Sequence, residues 1–390
     1  MFFEHGLSKD SQQRMNLQSL GNKLLRYRDQ HLQTIEEVAA ATDIDPIRLT
    51  RIEQGALEPT GDEVLILADY YRCDFTFLIS NATVAPFEET ETLYRAHGRS
   101  LTKEDRSAIQ EFLYLCETEQ YLTEQLYGVP QQFDFRPAGR IYKRHAEEAA
   151  KAFRQKMGHS DREVPRNIYA EFRSVGVHVF RRRLSSSKIS GLFILHPTAG
   201  KCVLINHSED IYRQRFSAAH EMAHAIFDSS EGVNVSYVNE DDLRETRANR
   251  FASCYLLPPA VLKHLPSPAL WDEADTHRWA NEFRVSCNAL GVALVTAGLV
   301  DKPTSARIRG YRVPREAKID PELPETLTDQ QRIRKSMLLS RGLSDHYVSL
   351  CLEAYSRQII SLGRLSEALL CGHGELSSMA SLYGRTIHGY

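Results

Sequence analysis

Apolar positions along most of this chain recur at intervals of three and four, the period of a helix with one buried face. The pattern predicts a helix over 20–28. It then places Thr34 as the cap of a helix over 35–40, with Glu37 three residues on completing a capping box. Pro46 suits the first turn of a helix over 47–54 that stops at Gly55, and segments 63–68 and 75–79 follow. Ile109, Phe112, Leu113 and Cys116 fall at i, i+3, i+4 and i+7, inside a helical stretch predicted over 88–126 with a break near 98–102. Two more helices are predicted over 146–157 and 167–174. Only then does the period change. Residues 177–180 alternate, and the short apolar runs 191–195 and 202–206, joined by a Pro-Thr-Ala-Gly turn, complete three strands. Helical spacing returns in 215–228 and 245–252, separated by a polar stretch, 229–239, that reads as a loop bordering a cleft. It continues through 276–283, 287–297, 328–340, 344–360, 362–370 and 375–383. Residues 359–369 have the rhythm of a second helix-turn-helix, although a small regulatory or dimerising bundle accounts for them better.

Proline and glycine punctuate these segments. Gly128, Pro130, Pro137 and Gly139 mark one linker, and Pro303, Pro314, Pro321 and Pro324 mark another. The expected organisation is a helical bundle over 14–80, a helical connector and linker over 81–139 and a mixed domain over 140–300. A linker over 301–327 and a helical domain over 328–390 follow. The fold class is α+β and mostly helical, with one small three-stranded sheet.

Composition narrows the function. A formal net charge of −3 over 390 residues gives no global attraction to nucleic acid or to an anionic membrane, so any DNA contact must come from a local patch. Residues 14–80 hold seven basic and eleven acidic residues, a balance of −4 that has the wrong sign for neutralising phosphates. The run Arg181-Arg182-Arg183 reads as a solvated face, or as a surface for an acidic segment or a nucleic-acid strand. Seven scattered cysteines without a C-x-x-C argue against a disulfide framework and against a thiolate zinc site. No signal peptide and no apolar run of membrane-spanning length is present, so a cytoplasmic protein with no membrane partner is expected.

The chemistry concentrates in His220-Glu221-Met222-Ala223-His224, an H-E-x-x-H sequence inside a Pro- and Gly-free apolar-periodic run. On a helix the i, i+4 spacing stacks both imidazoles on one face, where they can share a Zn²⁺. Glu221 then lies beside that face as a candidate general base. A catalytic zinc site needs a third protein ligand, and Glu245 on the next amphipathic segment is the best candidate. Asp228 and Asn249 are candidate acceptors for the outer ring nitrogens. His207 and Tyr237 are both candidates for a donor to a developing oxyanion.

These residues carry a resemblance. Arg215 to His224, Glu245-x-x-Ala248-Asn249-Arg250-Phe251-Ala252 and the following Leu256-Leu257-Pro258 resemble the ImmA/IrrE family of zinc metallopeptidases. The helix order of 17–80 resembles an XRE-type helix-turn-helix. The resemblance implies His220, His224 and Glu245 as zinc ligands and Glu221 as the catalytic base. It also implies a narrow protein substrate, typically a helix-turn-helix repressor cut at one site during a stress or mobile-element response. In the XRE-type domain the helix starting near Pro46 would enter the major groove, making Arg48, Thr50 and Arg51 the candidate DNA contacts. A bundle that binds protein or forms a homodimer is the alternative reading of 14–80. For the whole chain the rivals are a non-cleaving transcriptional regulator and the antitoxin of a toxin–antitoxin pair.

Overall fold

The computed structural model describes residues 15–73, 75–80, 101–137, 142–186, 188–228, 233–237 and 243–387. The chain forms two compact units, Met1–Phe87 and Glu88–Tyr390.

The described residues of the first unit form a bundle of five helices, α1 (Leu17–Gln30), α2 (Ile35–Thr42), α3 (Pro46–Glu53), α4 (Gly61–Tyr70) and α5 (Phe75–Ile79). Local chemistry sets most of these boundaries. The side chain of Asn16 accepts from the amide of Ser19, and Thr34 with Glu37 and Thr60 with Glu63 form two full capping boxes. Leu20, Leu24, Val38, Leu49, Ile52 and Leu67 then meet in one core. Tyr27 and Tyr71 stack in it with ring centroids 5.4 Å apart.

The second unit is built around a sheet of four strands in the order β1-β3-β2-β4. Strand β1 (Val177–Arg182) runs parallel to β3 (Gly200–Asn206), which is antiparallel to β2 (Ile189–His196). The three expected strands are present and a fourth joins them. Residues 233–237, expected to be loop, form β4 (Val233–Tyr237), antiparallel to β2 with Leu192 opposite Val235. The sequence held the signal, because Val233, Val235 and Tyr237 alternate with Asn234 and Ser236. A pleated strand sends alternate side chains to opposite faces, and both faces here are covered. Val177, Val179, Phe193, Val203 and Ile205 enter one core; Phe180, Leu192, Ile194, Cys202 and Leu204 enter another.

The first face carries α7 (Tyr142–Lys156), α8 (Ile168–Ser174), α9 (Ile211–Phe227) and α10 (Leu243–Leu256). Further along lie the short α11 (Pro259–Leu262), then α12 (Glu273–Phe283), α13 (Cys287–Thr296) and α14 (Lys302–Gly310). The second face carries α6 (Lys103–Tyr127) and the C-terminal helices α15 (Asp329–Leu339), α16 (Asp345–Ser356), α17 (Leu362–Ala368) and α18 (His373–Leu382). Residues 88–100 of the predicted connector lie outside the described residues. The connector and the C-terminal helices share one core with the sheet, so they are layers of the second unit, not separate domains.

Two further expectations are corrected. Residues 301–327 are not a plain linker. Pro303 sits in the first turn of α14, where its missing N–H costs nothing, and the segment ends at buried Asp320 and Glu322. The second correction follows from the first, since of the arginine run only Arg183 is exposed. Strand β1 continues through Arg182, and Arg181 is 1% exposed. Its guanidinium meets Asp320 through two bonds of 2.7 and 2.8 Å, reaches Glu322 at 3.2 Å and donates to Gln214 at 2.8 Å. The acidic segment that it holds belongs to its own chain. The Arg182 side chain donates to the carbonyl of Arg341 (2.6 Å) and the backbone amide of Arg183 to the carbonyl of Ser340 (2.9 Å), just after the first C-terminal helix.

Replacing Arg181 by Leu removes the cation and leaves buried Asp320 and Glu322, of which Glu322 keeps an ion pair with Arg173. Breaking such a cluster from one side costs about 3–5 kcal/mol. Urea denaturation of Arg181→Leu should show that loss as a lower midpoint, whereas a loss below about 1 kcal/mol would mean the cluster is well hydrated.

Candidate metal centre

Helix α9 runs unbroken because nothing in 211–227 interrupts it, and Asp210 caps it by accepting from the amide of Tyr212 at 3.0 Å. Burial then fixes its position. Arg215 is fully buried and donates to the carbonyls of Pro165 (2.8 Å), Arg166 (3.0 Å) and Arg284 (3.1 Å), pinning the helix to two loops. Ala218, Ala219, Met222, Ala223 and Ala225 are buried, and the small size of the four alanines lets the sheet and α10 come close. On α10, Ala248, Phe251 and Ala252 form the matching apolar stripe, which turns Glu245 toward α9.

The result is a cluster in which one ligand atom each from His220, His224 and Glu245 lies within 4.8 Å of the others. The two Nε2 atoms are 3.1 Å apart. The Glu245 carboxylate reaches His220 Nε2 at 2.9 Å and His224 Nε2 at 3.1 Å, one oxygen to each. The outer nitrogens are occupied. His220 Nδ1 is 3.1 Å from Asn249 Oδ1, and His224 Nδ1 is 2.8 Å from Asp228 Oδ2. Asp228 is fixed in turn by Arg247, whose guanidinium stacks on Phe227 with 4.5 Å to the ring centroid. Both rings therefore turn Nε2 toward the same point, the tautomer a metal requires.

The electrostatics favour a cation there. Burial works to lower the pKa of His224, but Asp228, Glu245 and Glu221 outweigh it and lift the value to about 9. Burial likewise works to raise Glu245, and the two imidazoles pull it down to about 2. Positive charge is thus stabilised at the point where the three side chains converge. Two imidazoles and a carboxylate with an open side form the donor set of a catalytic zinc site.

Glu221 is fully buried yet lines a cleft of about 710 Å³ together with His220, Glu245 and Asn249. Strand β2 makes room for it with a glycine. A Cβ on Gly191 would lie 2.9 Å from Glu221 Oε1 and 3.1 Å from the carbonyl of Leu204. Glycine inside a strand marks close approach, and here it is the approach of the Glu221 carboxylate. The opposite wall of the cleft was not found from the sequence. Tyr311, Arg312, Val313 and Lys318 supply it, all from the segment read as a linker. Its proline content concealed a fold-back that only the buried partners of Asp320 reveal.

Of the two candidate oxyanion donors, His207 lies beside Arg181 and Asp320 and not on the cleft wall. Burial and the Arg181 charge push its pKa down to about 4. The side chain of Tyr237 lies outside the described residues. In the first unit, Arg48 is engaged by Glu63 (Nη2 to Oε2, 2.8 Å) and the Thr50 hydroxyl donates back to the carbonyl of Pro46 at 2.8 Å. Arg51 alone of the three candidate DNA contacts is fully exposed.

A helix presenting two histidines to a neighbouring carboxylate, beside a small mixed sheet, falls within the metallopeptidase class. Residues 172–295 match the family described as IrrE N-terminal-like domain, a peptidase family, and residues 24–78 match the helix-turn-helix family. The chain therefore carries an ImmA/IrrE-type peptidase-family domain preceded by an XRE-type helix-turn-helix. No curated protein and no solved structure matches it. Among the described residues, no helix is long and apolar enough to cross a membrane.

Adding one methyl group at Gly191 tests the cradle. Gly191→Ala should displace the Glu221 carboxylate while leaving His220, His224 and Glu245 in place. Metal stoichiometry should stay at the wild-type level while any hydrolytic rate falls by about tenfold or more. Equal loss of metal and rate would show that Gly191 supports the whole centre instead.

Proposed function

We propose that the chain is a zinc-dependent, site-specific endopeptidase that acts on a regulatory protein, and that it works in the cytoplasm. The observation that carries this reading is the convergence of both Nε2 atoms and both Glu245 oxygens beside a buried Glu221. His220, His224 and Glu245 would hold one Zn²⁺, with Asn249 and Asp228 orienting the rings. A bound zinc would supply Lewis acidity, polarising a peptide carbonyl and making water more acidic. Glu221 accepts the proton of the attacking water on a carboxylate oxygen and returns it to the leaving amide nitrogen, worth on the order of 10²–10⁴-fold in rate. The outer edge of β4 is unpaired among the described residues, and its Ser236 stands opposite Gly191, the residue against Glu221. An extended substrate strand added there would run past the base by main-chain pairing alone.

The resemblance points to a helix-turn-helix repressor as substrate, cleaved in a stress or mobile-element response. The second reading is a regulator that binds without cutting, or an antitoxin. Glu221 separates them, because a purely structural metal has no use for a fully buried carboxylate beside it.

Purified protein should carry about one Zn²⁺ per chain, and His220→Ala or His224→Ala should abolish stoichiometric metal. Full zinc in both variants by elemental analysis would place the site elsewhere. Glu221→Gln should keep zinc and fold but slow cleavage of the partner by about 10²-fold or more, while Glu245→Gln should weaken metal affinity. The measurement is the partner's mass after co-expression with the protein encoded by the neighbouring gene. Undiminished cleavage by Glu221→Gln would falsify the assigned base.

A further inference from the structure

The cleft that holds Glu221 extends well past the metal centre. Asp210, which caps α9, and Arg213, Ser217, His220 and Glu221 all line it, so the cleft follows the helix from its start to Glu221. Arg213 precedes Glu221 by eight residues, which is about 12 Å of helix. An extended strand covers that distance in about four residues. A segment lying across Glu221 therefore presents, at the Asp210 end, a group well removed from the scissile bond.

That end is cationic. Arg213 stands on α9, and Arg312 and Lys318 stand on the segment that forms the opposite wall. The last two lie beside one residue of the cleft lining, Cys287. Burial raises its thiol pKa, and the charges of Arg312 and Lys318 both act against that rise. Two of the three cations have a carboxylate of their own. Arg213 pairs with Glu209 at 2.9 Å, and Lys318 pairs with Asp210, whose other oxygen caps α9. Arg312 has none. Its Nη1 donates to the carbonyls of Arg309 (2.7 Å) and Tyr311 (2.8 Å), which anchors the side chain at the end of α14. Its Nε and Nη2 meet no oxygen among the described residues, and Arg312 is exposed. These two nitrogens form the edge of a guanidinium that binds a carboxylate with two parallel bonds.

We propose that Arg312 is a substrate-binding residue, which takes a carboxylate of the bound segment about four residues from the scissile bond. The assignment rests on the peptidase reading above and adds the class of segment that the cleft accepts, an extended strand with an acidic group at that distance. An Asp or Glu side chain and a free C-terminus offer the same pair of oxygens to the guanidinium edge. The Arg213–Glu209 and Lys318–Asp210 pairs are already neutral, so they border the position without competing for that carboxylate. A basic group at the same position would meet the unbalanced charge of Arg312 and be rejected, so the residue sets specificity by repulsion as well as attraction.

The test uses the full chain carrying Glu221→Gln, so that no probe is consumed. The probe is a mixed-sequence library of peptides of about ten residues, long enough to span the cleft when extended, made with free and with amidated C-termini. Peptides retained by the protein are separated by gel filtration and sequenced by mass spectrometry. The retained set should be enriched in Asp and Glu by at least about threefold over the input. Enrichment confined to peptides with a free C-terminus would assign the carboxylate to the chain end instead of a side chain. Arg312→Ala should abolish the enrichment, Arg312→Lys should keep part of it, and Arg312→Glu should turn it into a preference for Lys and Arg. That reversal is not expected of a residue that only anchors the end of α14, and unchanged circular dichroism should accompany it. A retained set without acidic enrichment, or an acidic preference that persists in Arg312→Glu, would overturn the proposal. So would cleavage of the same library by the wild-type chain at bonds with no carboxylate nearby, which leaves the peptidase reading standing. An Arg312-dependent acidic preference without any cleavage by the wild-type chain would do the opposite, keeping the carboxylate site and removing the peptidase reading.

Discussion

Two imidazoles and a carboxylate with ligand atoms within 4.8 Å of one another are costly to bury, and the second unit is arranged to offset that cost. Each member has a second polar partner or a positional clamp. Asn249 takes His220, the pair Arg247–Asp228 takes His224, and the apolar stripe of α10 turns Glu245 inward. Removing any of these partners leaves a buried ionisable group uncompensated, so the centre and the packing of α9 on α10 stand or fall together. The alanine-rich back of α9 follows from the same demand, because larger residues in place of the alanines would hold α10 too far away for Glu245 to reach Nε2 of both rings.

The sheet plays two roles through its two faces. One face positions α9, and β2 gives up a side chain at Gly191 so that Glu221 can lie against the backbone. The other face is covered by α6 and the C-terminal helices, so the sheet is a shared middle layer. Arg181, Arg182 and Arg183 sit at the junction. Arg181 fixes the segment that walls the cleft, while the Arg182 side chain and the Arg183 backbone amide hold the turn after α15. Displacement of the C-terminal helices would therefore act on the cleft wall through Arg181 and Arg182 at the end of β1 and Arg183 just past it.

The sequence shows its helices and its metal-centre candidates clearly and its charge pairing poorly, and the difference is physical. Capping boxes at Thr34 and Thr60 and the H-E-x-x-H spacing are local, so chemistry within four residues decides them. Glu245 needed only one return of the chain. The partner of Arg181 lies 139 residues away, and nothing near Arg181 distinguishes a buried pair from a solvated run. Proline misled at 301–327, where Pro303 starts a helix. At 229–239 polar composition outweighed the alternation of Val233, Val235 and Tyr237, since a strand on a sheet edge needs fewer apolar residues than one in the middle. Gly191 was the missed signal that a sequence can offer, a glycine inside an otherwise apolar strand.

The position of Glu221 also bears on what such a protein could cut. Its carboxylate is fully buried at the base of a cleft of about 710 Å³, a volume that suits a few residues of extended chain and excludes a folded surface. A scissile bond reaches the base only if its segment is already extended or can be unfolded locally at low cost. Under the proposed peptidase reading, the cleft therefore selects extended segments before any side-chain preference operates.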